Sequence, residues 1–212
     1  MEEINNSILK NLKETENEMN QIVAENLNES ENETYLEFYN LWKNQNRIDN
    51  QDLMYEELKL NIEKYWLLEK YNNDIQKKFN MLYFEHGGLY GGDLEAYAID
   101  FNYSNSKKMP DFEVMDDRFE YLDNISSMPA FVSPTLYHLT KNIQGEEGKF
   151  DDFLDVNDIY NLFESTALIE INRLFERADN EKLFEKFNFK KPFYLAIGEH
   201  DAGAPKLVYV ID

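Results

Sequence analysis

Residues 81–103 read MLYFEHGGLYGGDLEAYAIDFNY, and here the periodicity of the chain changes. MLYFEH (81–86) is a short apolar run. Beyond it the residues alternate. Tyr97, Ile99, Phe101 and Tyr103 fall on one side, and Ala96, Ala98, Asp100 and Asn102 on the other, the period of a strand with one apolar face. Between the runs lie four of the chain's eight glycines: Gly87, Gly88, Gly91 and Gly92. A phosphate-binding loop opens a helix whose free N–H groups face the anion. The residues that follow here keep strand period instead. No GKS or GKT is present, and the order is G-G-x-x-G-G rather than G-x-G-x-x-G. The glycines therefore predict a hairpin connection that supplies positive φ, and they argue against phosphate or dinucleotide binding.

On the N-terminal side the pattern is helical. Ile4, Ile8, Leu12, Met19, Ile22, Val23 and Leu27 recur at helical spacing. The polar stretch 28–34 is a break, after which Tyr35, Leu36, Phe38, Tyr39, Leu41 and Trp42 form a short amphipathic segment. NQNRIDNQD (44–52) is a second break, in which Asn50 or Asp52 could cap the next helix. That helix is predicted from Leu53 to about Phe79. Its apolar stripe is Leu58, Ile62, Tyr65, Trp66, Leu68, Tyr71, Ile75 and Phe79, and no Gly or Pro interrupts it.

On the C-terminal side, 104–111 reads as a loop and DRFEYLDNI (117–125) as a short helix. SPTLYHLTKNI starts a helix with Ser133 as cap and Pro134 at the first helical position. GEEGK (145–149) separates it from a long helix. Asp155 is the expected N-cap there, and the stripe runs from Ile159 to Phe175. PFYLAIGEH and KLVYVID frame DAGAP as a closing hairpin. Together these predict an α+β fold: a small antiparallel sheet that includes the C-terminal hairpin, covered by several helices. Residues 1–80 form the helical N-terminal region and 81–212 the α+β domain, in one continuous unit.

Composition narrows the function classes. The chain has 212 residues, 42% of them hydrophobic, enough apolar surface to build a core. The 42 acidic residues outnumber the 21 basic ones, for a net charge of -21. Such a charge repels nucleic-acid backbones and anionic membranes, and it favours encounter with a basic partner. There is no cysteine, which removes disulfides, thiolate zinc sites and thiol nucleophiles. The polar N-terminus lacks the pattern of a secretory signal, and no apolar run approaches the roughly 20 residues of a spanning helix. A cytoplasmic location is expected, with neither nucleic acid nor membrane as partner.

The remaining constellations are sparse. His86 and His200 each follow a glutamate at the end of an apolar run. If those runs pair in one sheet, both imidazoles could lie at one edge. With Asp201, Asp93 and Glu199 nearby they could then form a metal site or an acid/base pair. Neither H-E-x-x-H nor H-x-H appears, so a histidine at a strand end reads first as a polar turn residue. No G-x-S-x-G is present. Asp151, Asp152, Asp155 and Asp158 lack the glycine and closing glutamate of an EF-hand, and read as helix-start electrostatics. No cofactor is expected.

The order TALIEINRLFERADNEKLFEKF, then KKPFYLAIGEHD, then KLVYVID (166–212) resembles the C-terminal part of immunity-type domains from bacterial polymorphic toxin systems. The similarity lies in apolar order over the last quarter of the chain. It implies an inhibitor and transfers no site residues. The leading expectation is a non-enzymatic acidic protein that sequesters a basic protein partner such as a toxin. Its expected contact residues are Asp93, Asp116, Asp117, Glu146, Glu147, Asp151 and Asp152. The alternative is a hydrolase or metal-dependent enzyme using His86, His200 and Asp201.

Overall fold

The computed structural model describes residues 2–29, 33–68, 78–88, 91–101, 119–121, 125–144, 157–200 and 202–212. Three helices come first: α1 (Glu2–Glu29), α2 (Glu33–Lys43) and α3 (Arg47–Asn61), the last running on through one π-turn at Ile62–Trp66. Strands β1 (Phe79–His86), β2 (Asp93–Phe101), β3 (Phe119–Tyr121) and β4 (Met128–Val132) follow. Then come α4 (Pro134–Gln144), α5 (Asn157–Asn180), a 3-10 turn at Leu183–Lys186, and the strands β5 (Phe189–Glu199) and β6 (Ala202–Ile211). The architecture is α+β, as the change of period at residue 81 predicts.

The sheet order is β3-β2-β1-β5-β6, with β4 also paired to β2. The glycine-rich stretch joins β1 to β2 antiparallel, Tyr83 opposite Tyr97, and β5 with β6 forms the expected closing hairpin. The two hairpins meet through β1 and β5, which are parallel, Leu82 beside Leu195. The sheet is therefore mixed rather than antiparallel throughout. Among the described residues three strands and two helices lie between β1 and β5, ample chain for the crossover that parallel pairing requires.

Both faces of this sheet are covered. On one, Leu82, Phe84, Leu94, Ala96, Ala98, Leu195, Ile197 and Val208 pack against α3, its π-turn and α5. Trp66 sits among Phe84 and Phe187, with ring centroids 6.5 and 5.8 Å away, and its indole N–H donates to the Pro129 carbonyl at 2.9 Å. On the other face Met81, Tyr83, Ile99, Tyr194, Ala196 and Val210 pack around Ile8 of α1. The second half of α1 leaves the sheet. Its Val23 joins Tyr35, Phe38, Tyr39 and Trp42 of α2, and Leu139, Ile143, Ile159, Leu162 and Phe163 of α4 and α5. The alternation in 96–99 thus marks two covered faces, not one apolar and one wet. The alanines face the bulkier core, where their small side chains leave room for aromatic rings.

Several boundaries move. α3 begins six residues before Leu53, at Arg47, because Asn46 is the cap: its side-chain oxygen accepts from Asp49 N at 3.4 Å. Asn50, expected as a cap, is buried inside the helix. The stripe Leu58, Ile62 and Trp66 is fully buried, but Phe79 belongs to β1. Residues 119–121, expected in a helix, pair with Ile99–Phe101 of β2, where an available strand edge overrides a weak local preference. Ser133 does cap α4, accepting from Leu136 N at 3.4 Å. The expected loops at 104–111 and 145–149 and the Asp155 cap lie outside the described residues. Among the described residues no helix is long and apolar enough to cross a membrane.

Candidate functional site

The β1–β2 hairpin ends beside the β5–β6 turn. His86 pairs with Glu199 in the parallel ladder, and the His200 N–H donates to the His86 carbonyl at 2.9 Å. The two histidines are thus brought to one sheet end, but strand alternation decides where their rings go. Glu85 and His86 are successive residues of β1, so their side chains leave on opposite faces. The His200 ring lies with Glu85, Nδ1 to Oε2 3.1 Å. The His86 ring lies on the face of Leu94 and Phe84 and is 2% exposed.

On that inner face His86 Nδ1 accepts from Gly88 N at 3.1 Å, which leaves the ring proton on Nε2. Burial pushes its pKa down, opposed by the nearby Glu164 and Glu199 carboxylates. Glu199 accepts from the Tyr160 hydroxyl at 2.9 Å, and burial together with Glu164 and Glu199 drives that phenol's pKa upward. Glu164 is in turn paired with Lys206 at 2.7 Å. Gly88 is needed here: it sits at φ 58°, and a Cβ would meet Glu199 Oε1 at 1.9 Å.

On the outer face Glu85 stands directly opposite Glu95, and alternation puts Asp93 and Tyr97 on the same side as Glu95. Glu95 accepts from the Tyr97 hydroxyl at 3.2 Å and from the Ser127 hydroxyl. Burial raises the Tyr97 pKa. These residues, with His86, Gly87, Glu199 and His200, line a pocket of about 530 Å³ that no lysine or arginine lines among the described residues. Like charges directly opposite one another in an antiparallel pair cost stability. The Glu85–Glu95 pair is such a case, and among the described residues that line the pocket the one basic group beside it is the His200 imidazole.

Among the expected site residues, Asp93, His86 and His200 thus share one sheet end. The imidazoles do not converge on a common ligand position, and among the described residues no three His, Asp or Glu side chains are arranged to hold a metal ion. Asp116, Asp117, Glu146, Glu147, Asp151, Asp152 and Asp201 lie outside the described residues. Sequence reasoning passed over Glu85 and Glu95 as members of the pocket, although the hairpin prediction with its strand periods contained their pairing. It also passed over Glu170, a carboxyl group 1% exposed within α5. No local signal marks it, because its partners Asn50 and Thr135 come from two other helices.

Comparison of the chain with known protein families, with curated proteins and with solved structures returned no match.

Proposed function

We propose that this chain is a binding protein rather than an enzyme, and that it sequesters a protein partner with a basic surface. The pocket at the end of the β1–β2 hairpin receives a lysine or arginine side chain of that partner. One observation carries the reading: Glu85, Asp93 and Glu95 gather on the pocket side with no lysine or arginine among the lining residues. A cationic side chain entering there relieves the repulsion between Glu85 and Glu95 while its stem lies along the Tyr97 ring. The surrounding net charge of -21 steers such a partner toward the chain. A basic effector such as a toxin fits this description, in keeping with the resemblance of 166–212 to immunity-type domains.

The test is retention of a partner from host extract on the immobilised chain at low ionic strength. A basic protein should be retained, released by molar salt, and bound with at least about tenfold lower affinity by a Glu85→Gln, Asp93→Asn, Glu95→Gln variant. The reading fails if what is retained is not basic, or if the variant binds as tightly as the parent.

A further inference from the structure

Glu170 lies in a buried polar network that shares no residue with the pocket lining. Its Oε1 accepts from Asn50 Nδ2 of α3 at 3.2 Å. Its Oε2 is 2.6 Å from Thr135 Oγ1, in the first turn of α4. The same hydroxyl oxygen is 2.7 Å from Gln45 Oε1, in the turn between α2 and α3, and accepts from Asn50 Nδ2 at 3.1 Å. Gln45 Nε2 is buried and has no hydrogen-bond partner among the described residues.

A hydroxyl has one proton. Thr135 cannot donate to Gln45 and to Glu170 together. Two arrangements resolve this. With the carboxyl group protonated, Glu170 donates to Thr135 and Thr135 donates to Gln45 Oε1. With it ionised, Thr135 donates to Glu170, and the Gln45 amide turns over so that its NH₂ donates to Thr135. Asn50 donates in both. The amide's two ends are nearly the same size, so the turn needs no repacking. It also gives the orphaned NH₂ a partner and leaves a carbonyl in its place, the cheaper group to leave unpaired.

The charged groups facing Glu170 are Arg47 of α3 and Glu16 of α1, which pair with each other at 2.7 Å and act on it in opposite directions. Desolvation outweighs the hydrogen bonds from Thr135 and Asn50 and pushes its pKa up to about 7. A carboxyl group raised this far can exchange its proton near neutrality, where the choice between the two arrangements arises.

We propose that Gln45, Thr135 and Glu170 form a proton-operated latch, in which loss of the Glu170 proton to solvent reverses the hydrogen bonds and turns the Gln45 amide. The hold of the α2–α3 turn on α4 and α5 then varies with pH, independently of what the acidic pocket binds.

The test follows the Glu170 side-chain carboxyl carbon and the Gln45 side-chain amide by NMR from about pH 5 to about pH 9, in the parent and in Glu170→Gln. In the parent both signals should move with one shared midpoint near neutrality. In the variant the new amide donates to Thr135 at every pH, so the Gln45 signals should stand still. A carboxyl group raised in the folded state favours folding below its unfolded pKa and loses that contribution as pH rises through the folded value. The folding equilibrium of the parent, measured in urea, should thus fall relative to the variant between about pH 4.5 and about pH 7, by up to two orders of magnitude. The latch is refuted if Glu170 ionises in the ordinary carboxylate range, or if the parent's Gln45 amide ignores its titration. These two parent signals decide the matter even if the variant does not fold.

Discussion

Gly92 and Gly91 are neighbours with different duties. A Cβ on Gly92 would lie 2.5 Å from Tyr137 N and 2.8 Å from the Ser133 carbonyl, so the first turn of α4 rests directly on this backbone. A Cβ on Gly91 would meet nothing nearer than Asp93 Oδ2 at 3.6 Å, an ordinary contact. Gly92→Ala should cost about 1–3 kcal/mol by forcing α4 away, whereas Gly91→Ala should change stability by less than about 0.5 kcal/mol. Urea unfolding of the two variants measures the difference. The glycine cluster was legible as a hairpin connection, but its reason was only half legible. Gly88 supplies the expected positive φ, whereas Gly92 answers to a helix arriving some forty residues later, a tertiary approach that no local pattern encodes. Glu170 was hidden in the same way. One carboxyl group on an apolar stripe reads as the stripe's polar border until Thr135 and Asn50 arrive from two other helices to bury it.

Side chains guard the sheet where strands lack a neighbour. At β6, the Asn5 amide accepts from Val210 N at 2.9 Å and donates to Val210 O at 2.8 Å, imitating a missing strand from α1. Asn172 of α5 donates to Val208 O at 2.7 Å. At β4, Glu57 accepts from Val132 N at 2.8 Å and Asn61 donates to Ala130 O at 3.0 Å, both from α3. An open strand edge is a template for another chain. Asn5→Ala should therefore lower stability by about 1–2 kcal/mol, two hydrogen bonds' worth, and increase self-association at high concentration. Light scattering and urea unfolding read the two effects. The helices were legible because their apolar stripes are long and regular. The end of α3 was not, since Phe79 continues its spacing by coincidence while pairing in β1. The parallel β1–β5 contact was not legible either: hydrophobic alternation says which residues share a face but carries no information on strand direction or partner.

A net charge of -21 on 212 residues acts on the whole molecule. Ion pairs offset some of it: Arg177 meets Asp52 and Glu181, both at 2.8 Å, and Lys190 meets Asp100 at 2.6 Å. The excess acid remains and repels itself. Added sodium chloride should therefore raise the melting temperature, steeply at first and then levelling once the screening length falls below the spacing of surface charges. Calorimetry over a salt series checks this, and a melting temperature that falls over the first additions would mean that ion pairs outweigh the repulsion. The proposed function was legible only as a sign of charge, because composition gives the sum of the carboxylates and not which three come together on one face of a hairpin. The parallel seam between the two hairpins has its own consequence. A ribosome makes β1 long before it makes β5, so every nascent copy spends part of its synthesis with the inner edge of β1 bare. Until the second hairpin emerges, that edge is a template on which another strand can pair.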